Sequence, residues 1–382
     1  MTTTNGKAQQ ETLQEAESST EKSTDYYFQY YASLQNQANM ISDFSRTQAY
    51  RRAILGNAVP AFQDKLVIDI GAGSGILSYF AAQAGAKKVY AIEASEMANK
   101  MEIVESYLLA RDLFLKPGGS LFPSAGSLYY APFSDESLFL ETEAKASFFN
   151  QTLFGVDFTA LAAASRIEAF EQPIVGLINP ACLVAPEIAP RNFDFYSLSV
   201  EELQDFTSEL DWYMPKTCLV HGIASWFDLA FTPPPGTEKA TDPVNENLHR
   251  QWDEMGAPTG LWAYDTSMNP AELPPPPSDG LEVSLDTGPY ANRTHWQQCR
   301  LLLSEPLAVN RGQRIVGTIR FRTNNNRSYD LDVNIHVVSG DAKDGETSVI
   351  PNTKRTGRFD LGKQTYNYSY NPDAAITGML NM

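Results

Sequence analysis

The run Val67-Ile68-Asp69-Ile70-Gly71-Ala72-Gly73-Ser74-Gly75 constrains the fold of this chain more than any other segment. Residues 65–70 read as a short buried strand, Gly71 to Gly75 as a glycine turn, and residues 76–85 as a helix with Ala81, Ala82 and Ala84 before a glycine stop. Residues 88–92 form a second strand that ends at Glu93. Strand, turn, helix and strand in this order make a βαβ unit, whose two strands run parallel.

Glycines let the backbone turn sharply and let a ligand approach closely, and the helix start offers free N–H groups. The dinucleotide fingerprint spaces its glycines as G-x-G-x-x-G and seats a pyrophosphate on the helix N-terminus. Here the third glycine comes one residue early, and Asp69 stands two residues before the first. That variant suits a nucleoside ligand without phosphate, such as S-adenosyl-L-methionine. Glu93, at the end of the second strand, is placed to accept both ribose hydroxyls. Taken alone, the turn serves equally as a plain strand–helix connection.

Residues 1–24 are rich in Thr, Gln, Glu and Ser and read as a disordered tail. Residues 25–123 form the ligand-binding α/β domain, opened by two amphipathic helices over residues 25–58. Alternating segments such as 128–132, 217–231, 300–303 and 315–321 place an antiparallel β domain over residues 124–340. A helical arm at 144–175 interrupts it. Residues 232–280, with prolines at 233–235 and 274–277, read as an insertion, and the polar tail at 341–382 is assigned no structure.

The formal net charge is −17, which disfavours direct nucleic-acid binding and favours cationic partners. The termini and interior lack a signal peptide pattern or a long apolar run, so no membrane span is expected. Cys182, Cys218 and Cys299 are widely spaced, and His221, His249, His295 and His336 are scattered, so neither a disulfide framework nor a metal site is expected.

With these residues in view, the chain resembles the type I protein arginine methyltransferases, and among them the coactivator-associated branch. The resemblance runs from about residue 26 to 338. It is carried by Tyr27-Phe28-Gln29-Tyr30-Tyr31, by the stretch from Asn39 to Thr47, by Asp69 to Ala84, and by Tyr90 to Ser95. Further on come Glu105-Ser106-Tyr107-Leu108, Lys116-Pro117-Gly118-Gly119, Val220-His221-Gly222, Trp226-Phe227-Asp228 and Thr294-His295-Trp296. It implies a Rossmann-like domain followed by an antiparallel β-barrel with a dimerisation arm, S-adenosyl-L-methionine as methyl donor, and basic protein substrates such as histone tails. It also implies asymmetric dimethylarginine as product, a homodimer, and a nuclear and cytoplasmic setting.

By the same resemblance, Phe28, Tyr31, Met40 and Arg46 close over the cofactor, Arg46 pairing its carboxylate. Gly71 and Gly73 make backbone contacts, Glu93 holds the ribose, and Ser106 lies near the methionine end. His295 pairs with Asp43, and Trp296 shapes the substrate pocket. Read without the family, His295 and Trp296 serve core packing as well as catalysis, while Arg46, Asp43 and Ser106 pass for ordinary helix residues.

The family's acidic loop, a Ser-Glu-Pro-Met-Gly-Tyr pattern followed by Asn-Glu-Arg-Met, has no counterpart here. Carboxylates there clamp the guanidinium and stabilise developing charge. From Ser95 this chain passes directly to Glu105-Ser106-Tyr107, which in the family lies beyond the loop; Met101 stands where the second glutamate belongs, and Glu102 is one position off. The spacing agrees, because Glu93 to Leu113 leaves room for one helix only, whereas each further parallel strand needs a crossover of its own. The doubly wound sheet is therefore expected to be truncated, with an open edge on its first strand. Two functions follow: an arginine methyltransferase, or a catalytically impaired homologue acting as a dimerisation or protein-binding partner. A small-molecule methyltransferase leaves Thr294-His295-Trp296 unexplained.

Overall fold

The computed structural model describes residues 34–92, 103–238, 240–241, 251–252, 258–259, 280–325, 328–339, 348–368 and 370. The chain divides into two compact units. The first holds residues up to Phe122 with 232–240 and 270–282; the second holds the remainder.

The first unit is built on the βαβ element that the glycine spacing predicts. Helices α1 (Leu34–Ser42) and α2 (Phe44–Gly56) precede β1 (Leu66–Ile70), α3 (Ile76–Gln83), β2 (Lys88–Ile92) and α4 (Ile103–Phe114). β1 and β2 pair in parallel, with Leu66 opposite Lys88 and Ile70 opposite Ile92. Side chains alternate across such a pair. Val67 and Val89 join the core of Ile54, Phe62, Phe80, Ala81 and Ala84. On the opposite face Leu66, Ile68, Tyr90 and Ile92 are exposed, Leu66 by 56%. Parallel sheets elsewhere are covered on both faces. Among the described residues this sheet has two strands only, which is the truncation that the spacing between Glu93 and Leu113 demands. Asn57, fully buried, ties the end of α2 to a later segment by donating to the carbonyls of Ala53 and Leu281.

The second unit is built on two large sheets, antiparallel except for one edge pair. In the larger, β3 (Ala125–Phe133) lies between β5 (Ile188–Asp194) and β7 (Cys218–Phe231). The other edge of β7 receives β8 (Leu281–Asp286) and β9 (Gln298–Val309), and β9 continues to β4 (Ile174–Gly176). The smaller sheet orders β12 (Arg355–Asp360), β11 (Tyr329–Val338), β10 (Arg314–Thr323) and β6 (Asp205–Tyr213). β6 alternates strictly: Phe206, Ser208, Leu210 and Trp212 point inward, and Asp205, Thr207, Glu209, Asp211 and Tyr213 point out. At its inner end Phe206 stacks on Phe321 at 4.7 Å and meets Phe193 edge-on at 5.3 Å.

Two expectations are corrected. The tail at 341–382, read as structureless, contributes β12 and β13 (Thr365–Tyr366), the latter running parallel to β4. Its sequence hides β12 because Phe359 alone of its six residues is fully buried. The helical arm does not begin at residue 144: helix α5 starts at Glu136 and runs to Ala146, followed by a small hairpin and α6 (Ala162–Glu171). Asp135 sets that start, its carboxylate accepting from Leu138 N–H at 2.9 Å as an N-cap. Most of the insertion at 232–280 and residues 1–33 lie outside the described residues.

The root of the arm is also a titration point. Asp135 N–H donates to Nδ1 of the buried His221 at 3.2 Å, Ser134 Oγ lies 3.3 Å from the same atom, and Phe139 covers the ring. Burial holds the His221 imidazole below its ordinary value, against the opposing pull of Asp135 and Glu136. The fold thus holds the neutral ring. Its contribution is complete above the unfolded value of about 6.5 and is lost as pH falls below it. Melting temperature should therefore drop from pH 7 toward pH 5, and His221→Asn, which keeps an acceptor but cannot titrate, should flatten part of that slope. Phe206→Ala should cost about 3–5 kcal/mol in denaturant unfolding, as large-to-small core changes do. Arg320→Ala, which removes an exposed, solvent-screened pair with Asp205, should leave the midpoint of the same unfolding nearly unchanged.

Candidate functional site

The glycine turn between β1 and α3 is held by few but specific bonds. The N–H groups of Gly71 and Ala72 both donate to the carbonyl of Ile92, at 2.8 and 3.2 Å, so the turn folds against the end of β2. Gly71, Gly73 and Gly75 all have positive φ, a conformation that side-chain-bearing residues avoid. Gly75 caps α3 in the left-handed region. A Cβ built on Gly71 or Gly75 meets nothing within 4 Å. The turn thus borders open space, and its glycines answer to backbone conformation rather than crowding. Asp69, the last polar residue of β1, accepts from Ser78 Oγ of α3 at 2.7 Å, which fixes its carboxylate beside the turn.

Helices α1 and α2 bring further predicted residues to the same unit. Asp43 joins them as the N-cap of α2, accepting from Arg46 N–H at 2.9 Å, and is 8% exposed. It is a buried capping carboxylate rather than a solvated one. The carbonyl of Met40 accepts from Thr47 Oγ1 at 3.2 Å, locking the two helices at their corner. The Arg46 guanidinium lies 5.1 Å from the Tyr50 ring centre, a cation–π contact one helical turn apart. Burial pushes the Tyr50 phenol above its ordinary value; Arg46 opposes this and Asp69 adds to it. The charges of Arg46 and Asp69 therefore both act on Tyr50, which links α2 to the glycine turn. Ser106 sits half-buried in the first turn of α4, and α4 lies against β1.

His295 and Trp296 belong to the second unit, on the loop between β8 and β9. Thr294 Oγ1 donates to the carbonyl of Trp296 at 2.8 Å. The His295 and Trp296 rings lie 4.4 Å apart, and Trp296 meets Phe227 at 5.4 Å. His295 is exposed, so of the two sequence readings the core-packing one does not apply to it. Phe28, Tyr31 and Glu93 fall outside the described residues. The sequence places Tyr50 on an amphipathic helix without assigning it to the site, and Ser78 is not singled out. Tyr50 was within reach of such an assignment, since it follows Arg46 by four residues on a helix; nothing in the sequence marks Ser78 as the partner of Asp69.

Replacing Gly75 tests the turn directly. Gly75→Ala should lower the free energy of unfolding by about 1 kcal/mol, the cost of a left-handed conformation for a residue with a Cβ. Gly75→Asn, which tolerates that region better, should lose less in the same denaturant titration.

Comparison with known proteins follows this division. The family model for the arginine methyltransferase oligomerization subdomain matches residues 124–252 and 264–340, and that for ribosomal protein L11 methyltransferase matches residues 56–103. The histone-arginine methyltransferase CARMER of Drosophila erecta is 34% identical over 362 residues, covering 83% of this chain. A probable histone-arginine methyltransferase CARMER of Drosophila melanogaster matches equally. This chain spans 59% of the length of either relative. The aligned span is longer than the part of this chain that enters it, so the relatives carry segments that this chain lacks. Among solved structures, Arabidopsis thaliana protein arginine methyltransferase 10 superposes with a TM-score of 0.65 at 21% identity, over 88% of this chain and 100% of that one. The Trypanosoma brucei PRMT1 enzyme-prozyme heterotetrameric complex with AdoHcy gives 0.61 at 24%, over 86% and 99%. These likenesses establish a Rossmann-like methyltransferase domain joined to a β-barrel domain. With more than half its residues matched by the oligomerization-subdomain model, the chain belongs to the arginine methyltransferase family.

Proposed function

We propose that this chain binds S-adenosyl-L-methionine and serves protein arginine methylation, with basic protein tails such as histone tails as substrate and asymmetric dimethylarginine as product. The observation that carries the reading is the glycine turn, with three positive-φ glycines, of which Gly71 and Gly75 face open space, beside the tethered Asp69 and the buried Asp43–Arg46 cap. When bound, the donor supplies an electrophilic sulfonium methyl.

The chain's own residues then bind and orient. The Gly71 and Gly73 backbone approaches the donor closely, and Arg46, preset by its cap and by Tyr50, offers its guanidinium to a carboxylate. Ser106 lies near the methionine end, Phe28, Tyr31 and Met40 close over the donor, and Glu93 takes the ribose hydroxyls. Asp43 holds the helix that presents Arg46. On the substrate side, His295 and Trp296 form an aromatic pair against which a planar guanidinium fits. The overall charge of −17 favours encounter with basic tails. The relatives' histone-arginine names support the substrate class and a nuclear setting; the cytoplasm is the other compartment of the proposal.

Assembly as a homodimer through the arm is part of the same proposal. Phe148, Phe154, Val156 and Leu161 are all exposed on it, and with Phe149 they give an apolar face that one chain leaves uncovered.

A second reading is favoured by a separate observation. β1 has no strand on its outer edge among the described residues, and the sequence lacks the acidic loop that would clamp the guanidinium. This supports a catalytically impaired homologue that acts by associating with other copies, and the enzyme-prozyme assembly of the Trypanosoma brucei relative supports such a role.

Titration calorimetry with S-adenosylhomocysteine, paired with methylation of a histone peptide, separates the two. Binding that Arg46→Ala weakens about tenfold, the scale of a lost charge-assisted contact, is expected. Binding with methyl transfer establishes the enzyme, and binding without transfer establishes the impaired partner. Absence of binding removes the cofactor assignment altogether.

A further inference from the structure

The loop bearing His295 and Trp296 is closed at its base by one side chain. Gln298 is 3% exposed and uses both ends of its amide: Nε2 donates to the carbonyl of Thr287 at 2.8 Å, and Oε1 accepts from Ile178 N–H at 3.0 Å. The first bond joins the two feet of the loop, eleven residues apart. The second fastens that base to the segment after β4.

Thr287 extends the chain of contacts. Its hydroxyl donates to the carbonyl of Phe227 at 2.6 Å and lies 3.3 Å from Phe227 N–H, so the side chain continues the pairing of β8 with β7 where the backbone turns away. Its own N–H faces Phe227 O and Asp228 Oδ1. Phe227 is the residue whose ring packs against Trp296, and Trp296 packs against His295. The hydrogen bonds therefore fix the strand position from which Phe227 supports the aromatic pair.

We propose that Gln298 and Thr287 are positioning residues that set the Trp296 and His295 rings, and so determine how tightly a guanidinium is received on this side of the site. The inference rests on the reading of His295 and Trp296 as the arginine side. A buried amide satisfied at both ends loses two partners when replaced by an apolar side chain, leaving the Thr287 carbonyl and the Ile178 N–H unmet. The loop then keeps its sequence but not its register against Phe227.

The test uses the full chain with Thr287→Val, Gln298→Met and Thr287→Ser, the last retaining the hydroxyl. Hydrogen-exchange mass spectrometry should show Arg293–Gln297 exchanging about fivefold faster in the first two variants and restored in Thr287→Ser, as loss of local closure of roughly 1 kcal/mol requires. Strand β10 should keep its protection, which certifies the fold. Calorimetry with an arginine peptide, at saturating S-adenosylhomocysteine, should show about fivefold weaker binding in Thr287→Val and wild-type binding in Thr287→Ser. Affinity for S-adenosylhomocysteine should stay unchanged.

Unaltered exchange of Arg293–Gln297 in both Thr287→Val and Gln298→Met would overturn the positioning role. So would a rise shared equally by β10. Peptide affinity that ignores Thr287→Val while the loop loosens would overturn its part in recognition. Should the wild-type chain itself take no peptide, the substrate reading fails instead, and the loop exchange still decides the positioning.

Discussion

The carbonyl of Ile92 holds the first unit's chemistry in place. It receives both Gly71 and Ala72, so one acceptor joins the end of β2 to the turn that leaves β1. In a sheet of many strands such a bond is one of a network. Here it belongs to a pair of strands five residues long, and the geometry of the glycine turn depends on it. The neighbouring contacts have the same local character. Ser78 fixes Asp69 across the turn, Asp43 caps α2, and Tyr50 receives Arg46 from one helical turn away. A short segment can therefore keep a recognisable ligand cradle although the sheet that usually surrounds it is reduced.

The second unit contrasts with this. Its two sheets interlock through long antiparallel strands, and β7 alone pairs with β3, β8 and β9. The aromatic group around Phe206 fills the inner face of the smaller sheet. The acidic loop that the sequence lacks would belong to the first unit, whereas the exposed apolar residues of the arm lie in the second. In the proposed function, donor binding rests on the first unit and association between copies on the arm of the second, so the partner reading does not depend on the acidic loop that the sequence lacks.

Much of this was legible in the sequence because the informative signals are periodic or obligatory. The glycines at 71, 73 and 75 require positive φ, and they adopt it. Strand β2 begins and ends where the spacing places it, and the long apolar run at 217–231 is β7 with a one-residue difference at its start. What escaped has physical reasons. β6 alternates perfectly, but its outward Asp205, Glu209 and Asp211 dilute its apolar content. β12 presents arginines and a threonine with one buried phenylalanine, a pattern that edge strands share with loops. The Ser78–Asp69 and Gln298–Thr287 bonds depend on where side chains meet in space, which spacing alone does not encode. The arm was placed too late because its start is set by the Asp135 cap, not by the alanine-rich stretch that follows.

Strand β12 bears on where a minimal folded fragment can stop. The family match ends at residue 340, two residues past β11. A protein cut there would bare the outer rim of β11 from Asp330 to Ile335, strip away the fully enclosed Phe359, and leave the carbonyl of Pro306 without the Arg355 guanidinium. Such a rim is a ready template for fibril-like stacking. The last strand thus acts as a selvedge on the smaller sheet, sealing a boundary that homology alone would have drawn too early.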